Sequence, residues 1–296
     1  MLVPKIKIEY DLEKETKQFL RTLHNPNFLW LRNLIFDTLP ELKNRLEGII
    51  DQDEVLEEKT VKEFIVYFRE KNKDKINEIV LKSQALLDEK AEVALTELAK
   101  LMDYQWPEDH PGYIVIPTIL PNSPFEDNIF YYSILGEIYS DSKNEQNIIF
   151  CSIHEISHFI LFDILNKNKD VFLKSLDWLE IYYLKEILVV VLMMQEPLAK
   201  ILQSDNYLGN PDLHQIYVYD KNEEKTIQIC HYFKTIYEAL RQEDKSFIDI
   251  LKIFIKLIDQ LRDGLNEKFQ IWNQHGFKIL KDKKLLEKYR KPLSVS

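Results

Sequence analysis

Along most of the chain, apolar residues return at intervals of three and four positions. That spacing keeps them on one face of a helix with about 3.6 residues per turn. Residues 74–102 follow it closely, with Ile76, Ile79, Val80, Ser83, Leu86 and Leu87 on one side. Residues 54–70 follow it too, and Lys71-Asn72-Lys73 reads as the turn of an antiparallel helical pair. The charged residues of that pair read as a solvated face. Nearer the N-terminus, residues 11–23 form a shorter amphipathic helix, and Pro26 and Pro40 punctuate the short helical stretches after it.

The pattern changes at Tyr104-Gln105-Trp106-Pro107, after which Pro111, Pro117, Pro121 and Pro124 come in close succession. Residues 113–120 (YIVIPTIL) read as a strand. Pro117 cannot donate to a ladder, which predicts an edge strand. Residues 129–139 (IFYYSILGEIY) read as a second strand bent at Gly136, and Asp141-Ser142-Lys143-Asn144 as a turn and helix cap. Beyond it, Ile149, Phe150, Ile153, Ile156, Phe159, Ile160, Leu161, Phe162, Ile164 and Leu165 cover nearly the whole circumference of a helix. No Pro or Gly interrupts residues 145–165. A helix that is apolar all round is a buried one. A polar break at 166–170 precedes a second strongly apolar helix at 177–202, which carries Glu180, Glu186 and Glu196. Residues 207–219 read as a Tyr-rich loop, and three or four amphipathic helices fill 223–290. The expected class is α+β, predominantly α-helical with a small sheet. The expected division is an N-terminal helical region, 1–103, and a second region, 104–296, holding the sheet, the buried helix and the C-terminal helices.

The buried helix carries His154-Glu155-Ile156-Ser157-His158. Residues four apart on a helix sit one above the other, separated by roughly 6 Å along the axis. Two imidazoles so placed can take one Zn²⁺ from the same side. The glutamate between them projects beside the metal, where it can accept a proton from water. Two histidines and a glutamate inside a protein are costly unless something pairs with them, and a metal would do so. Neighbouring carboxylates pairing with the histidines are the plain structural alternative.

The stretch from Cys151 to Ile160 resembles the active-site helix of zincin metallopeptidases, including the uncharged residues that flank the His-Glu-x-x-His core. The resemblance covers about ten residues of the chain. It implies a small sheet packed beside the metal-binding helix. It also implies a third protein ligand to zinc, with water in the fourth position. A metzincin would supply a nearby histidine, and residues 161–168 contain none. A gluzincin would supply a glutamate from a later helix, which points to Glu186. The acidic residue that many gluzincins carry four positions on is here Val190. Glu196, just before Pro197, is the other candidate, and the two stay open. Asp163, five residues past His158, lies roughly 140° around the helix and should point away. An unpaired carboxylate at Glu186 is expensive within its apolar run, and Lys185 is expected to project about 100° away from it. The resemblance further implies a Tyr or His donor for the oxyanion, with His231, His214, Tyr207, Tyr217 and Tyr219 as candidates.

The implied activity is zinc-dependent hydrolysis of a peptide bond. His154, His158 and Glu186 would be metal ligands, Glu155 the catalytic base, Zn²⁺ the cofactor, and a peptide or protein the substrate. An extended substrate is expected along 113–120, by strand addition to the predicted edge. The alternative from another class is a non-catalytic helical interaction protein on a zincin-like scaffold.

Composition narrows this further. Six glycines in 296 residues are few for a loop-rich β protein. A net charge of −10 argues against nucleic acid and against a membrane as partners, and basic residues 281–291 read as a solvated helix. Two cysteines, Cys151 and Cys230, make no disulfide framework. The charged N-terminal sequence predicts no signal peptide, so a cytoplasmic location is expected. Residues 147–165 could span a bilayer by length, but His154, Glu155, His158 and Asp163 favour a core helix.

Overall fold

The computed structural model describes residues 2–139, 147–172, 176–203, 207–221 and 223–294. Among them are thirteen α-helices and two small sheets, the predominantly helical α+β class that the periodicity predicts. The chain divides into two compact units. One comprises Leu2–Val93 and Trp106–Glu155, the other Ala94–Gln105 and Ile156–Ser296. The division expected at 103/104 therefore falls inside a short stretch of the second unit.

The first unit begins with β1 (Ile6–Ile8), α1 (Leu12–Leu23), α2 (Leu29–Thr38) and α3 (Pro40–Leu46). It continues with α4 (Glu54–Lys71) and α5 (Lys73–Leu101), the expected hairpin turning at Asn72. Asp11 and Asp53 cap α1 and α4, accepting from Lys14 N and Leu56 N at 3.0 Å each. The sheet adds β2 (Tyr113–Thr118), β3 (Phe125–Glu126) and β4 (Ile129–Ser133) in the order β1-β2-β4-β3. β1, β2 and β4 run parallel, and β3 is antiparallel on the edge.

Two expectations are corrected here. β2 is an internal strand, not an edge. Tyr113 and Val115 bond towards β1, while Ile114 and Thr118 bond towards β4. By that alternation Pro117 faces the β1 side at a level where β1 has already ended. Its missing N–H is not needed there. The space is closed instead by Glu15 of α1 and Arg69 of α4. Glu15 is buried and accepts from Arg69 Nε and Ile119 N, each at 2.9 Å, and Arg69 also donates to the Pro117 carbonyl. With neighbours on both sides and its lower end covered, β2 offers no free edge to an extended substrate. The strand expected at 129–139 also stops early. Ile134 N donates to Thr118 O at 2.9 Å, the last rung, and Leu135–Tyr139 forms helix α6 with Gly136 inside it. The cap expected at 141–144 lies outside the described residues. Asn147 caps the next helix, α7 (Ile148–Lys167), accepting from Ile149 N at 3.0 Å and Phe150 N at 3.2 Å.

The second unit takes up α7 at Ile156 and adds α8 (Lys169–Phe172), α9 (Trp178–Met193) and α10 (Glu196–Leu202). The single helix expected at 177–202 is thus broken. Pro197 lacks an N–H, and its ring would strike the carbonyl four residues back, so the helix ends and restarts with Pro197 in a first turn. α9 opens with a capping box between Asp177 and Glu180, and Arg262 Nε also donates to Glu180 at 2.7 Å. Strands β5 (Tyr217–Asp220) and β6 (Lys225–Gln228) form an antiparallel pair where a loop and a helix were expected. Gln228 then caps α11 (Ile229–Gln242), accepting from Cys230 N at 2.7 Å. The 29-residue α12 (Phe247–His275) and α11 pack on α9. A 3₁₀ turn (Gly276–Lys281), α13 (Lys283–Arg290) and β7 (Leu293–Ser294), parallel to β5, complete the unit.

One described helix, α7, is long and apolar enough to cross a membrane, and 83% of its apolar window is buried inside the protein.

Candidate metal centre

The helix α7 carries the motif. Its apolar residues Ile153, Ile156, Ile160 and Leu161 are buried on several sides, so the polar residues between them are drawn into the interior as well. Glu155 and His158 are buried, and the side chain of His154 is 12% exposed. One ligand atom from each of His154, Glu155 and His158 falls within 4.8 Å of the other two. His154 Nε2 lies 3.9 Å from Glu155 Oε1. Helical spacing alone produces this grouping: 154 and 158 stack one turn apart, with 155 beside them.

A second helix supplies the next group. Glu186 lies in the middle of α9, buried, and its Oε1 is 3.7 Å from His158 Nε2. Lys185 does not project away as expected. Its stem curls back so that the ammonium donates to the same Glu186 Oε1. The competing candidate, Glu196, is exposed at the start of α10. Asp163 is engaged elsewhere, accepting from Tyr104 OH at 2.7 Å and pairing with Lys167 at 2.6 Å.

A further buried acid, which the sequence did not single out, is held against the turn of α9 before Glu186. Tyr182 OH donates to Asp212 Oδ2 at 2.9 Å, and Tyr289 OH donates to the Asp212 backbone carbonyl at 2.7 Å. Asp212 Oδ1 is buried with no hydrogen-bond partner among the described residues. Burial raises the Asp212 carboxyl to about 7; the Tyr182 hydrogen bond opposes the rise and the Glu186 charge adds to it. The segment reaches α9 because of Gly209. Its φ of 78° suits glycine, and a Cβ there would lie 2.6 Å from Val190 Cγ2. In sequence Asp212 reads as an ordinary turn residue after Pro211, so no local signal marks it. The thiol of Cys151, one turn before Glu155, is also pushed up, by burial first and then by the Glu155 charge. It is held as a neutral group.

Two imidazoles and a buried carboxylate are donors that suit zinc, with no thiolate required. Among the described residues, the set whose ligand atoms stand close enough to share one ion is His154, Glu155 and His158, and Glu186 stands beside His158. Of the oxyanion-donor candidates, His214 Nε2 is held at 2.9 Å from Gly209 O, and His231 and Tyr219 are exposed. Tyr207 and Tyr217 are half-buried.

Comparison of the chain with models of known protein families, with curated proteins and with solved structures finds no match to any of the three.

Proposed function

We propose that the protein is a zinc-dependent peptidase of the zincin type, acting on a peptide or protein substrate in the cytoplasm. The observation that carries the reading is the His158–Glu186 approach of 3.7 Å. A glutamate from the following apolar helix stands beside the second histidine of the motif, where a gluzincin-like site needs its third ligand. His154, His158 and Glu186 would hold the metal. Bound there, zinc would polarise the scissile carbonyl and make water a stronger acid. Glu155, buried on the same helix, accepts a proton from the attacking water and returns it to the leaving amine.

One observation favours a second reading. The Lys185 ammonium on Glu186 is the partner such a carboxylate would keep in a metal-free interaction protein. Glu155→Gln tests the catalytic reading. The substitution keeps the shape and removes the base. The variant should hold zinc as the unmodified chain does and lose roughly 100-fold or more in cleavage of a mixed peptide library, on the order expected for a lost general base. Full activity in the variant would contradict the role.

A further inference from the structure

A surface near the C-terminal end of the second unit is unused by the proposed reaction. Helix α12 ends at His275, and Gly276 comes next with φ of 52°, a backbone angle that favours glycine. The chain then winds through the turn Gly276–Lys281. At three residues per turn, positions three apart eclipse. The six residues therefore stand in three columns. Gly276 and Ile279 are the buried column. Phe277 and Leu280 are the second, 39% and 47% exposed. Lys278 and Lys281 are the third, exposed beside it. The Phe277 and Trp272 rings meet edge to face, centroids 5.6 Å apart, which holds the Phe277 ring in place.

α13 adds further bases directly after the turn. Tyr289 is its buried anchor. The arc opposite Tyr289 carries Lys283, Lys284, Lys288 and Arg290, all exposed, with Glu287 among them; Lys288 pairs with Glu267 of α12 at 3.3 Å and Arg290 donates to Gln215 at 2.6 Å. Residues 276–294 hold seven bases and two acids. One of those acids, Asp282, is turned to capping α13, accepting from Lys284 N at 3.0 Å and Leu285 N at 3.1 Å.

The chain as a whole carries −10, which argues against an anionic partner. Distance decides which charge an approaching surface meets. At physiological ionic strength fields decay over about 8 Å. The turn and α13 each extend about 12 Å. A flat surface arriving here meets a net basic object even with Glu267 paired to Lys288, and more distant acids are damped.

We propose that this face, the 276–281 turn with α13, docks on a bilayer that bears anionic lipid headgroups. Lys278, Lys281, Lys283 and Lys284 lie among the headgroup anions, and Leu280 with Phe277 enters the boundary with the acyl chains. The apolar column selects a bilayer over a nucleic acid. A phosphate backbone attracts the lysines equally well but gives Leu280 nothing apolar to enter. The proposal is independent of the hydrolytic reading.

The test is sedimentation of the full chain with vesicles of phosphatidylcholine alone and of phosphatidylcholine mixed equally with phosphatidylserine. Binding is expected to the mixture only, and to weaken as salt is added. Each basic residue at such a surface contributes about a five-fold factor, so Lys281→Gln with Lys284→Gln should lower partitioning about 25-fold. Leu280→Gln keeps every charge and should lower it by roughly three-fold or more. All three side chains are exposed, so the fold, followed by circular dichroism, should be unchanged. No sedimentation with the mixture, equal sedimentation with phosphatidylcholine alone, or binding unaffected by the variants overturns the proposal. So does tighter binding to duplex DNA or RNA than to the mixed vesicles.

Discussion

Glu186 Oε1 lies beside the Lys185 ammonium and 3.7 Å from the His158 ring. A carboxylate stripped of water needs such company. If zinc binds at Glu186, Lys185 competes with it, and Lys185→Met should leave zinc affinity unchanged or raise it. If the pair is purely structural, the same variant should lose about 3–5 kcal/mol of stability and bind no metal. Zinc titration alongside urea unfolding separates the two outcomes, and weaker zinc binding in a folded variant would contradict the assignment. Asp212 sets a second prediction. Its carboxyl is raised from 3.8 to about 7, chiefly by burial. Between those values the folded chain keeps a proton that the unfolded chain has lost. Its contribution to stability is therefore full below 3.8 and is lost as pH rises through about 7. Asp212→Asn should flatten the dependence of the metal-free chain's urea midpoint across that window; an unchanged slope would show that other groups set it. The motif histidines and Glu155 were legible because helical chemistry fixes their spacing. Glu186 was legible as a charge inside an apolar run. Lys185 was misjudged because a four-carbon stem reaches back across the roughly 100° that separates adjacent residues. Asp212 was invisible, because Gly209-Asn210-Pro211-Asp212 has the composition of any turn.

Among the elements, the long helices came directly from periods of three and four. The errors fell where pairing or chain breaks decide. Pro117 suggested an edge, yet the strand is internal, because β1 ends before Pro117 needs a partner. That register predicts a mild effect for Pro117→Ala. No ladder bond is gained or lost, so the change in stability should stay within about 1 kcal/mol, the part due to a freer unfolded chain. Val115→Pro, two residues back, would remove an N–H on the paired side and should cost about 3 kcal/mol or more. Urea unfolding of the two variants measures the contrast, and equal losses would contradict the register. The short strand Lys225–Gln228 was unreadable for a different reason. Only Thr226 and Ile227 favour a strand there, and its partner Tyr217–Asp220 supplies what local sequence lacks.

At the level of the whole chain, few glycines and strong helical periodicity were enough to give the class. The division into two units was not legible. It depends on Ala94–Gln105 joining residues after Ile156, a contact between distant parts of the sequence that leaves no local period. Burial of α7 is likewise a property of the whole molecule, and it makes the central claim testable. The proposed zinc ligands are three interior side chains from two helices, His154, His158 and Glu186. The most direct measurement is zinc content by native mass spectrometry for the unmodified chain, Glu186→Ala and Glu196→Ala, each checked for folding by circular dichroism. The expected result is about one zinc per chain in the unmodified protein and in Glu196→Ala, and loss of zinc in Glu186→Ala. An unmodified chain that takes up no zinc on reconstitution, or a folded Glu186→Ala that holds zinc as tightly as the unmodified chain, would contradict it.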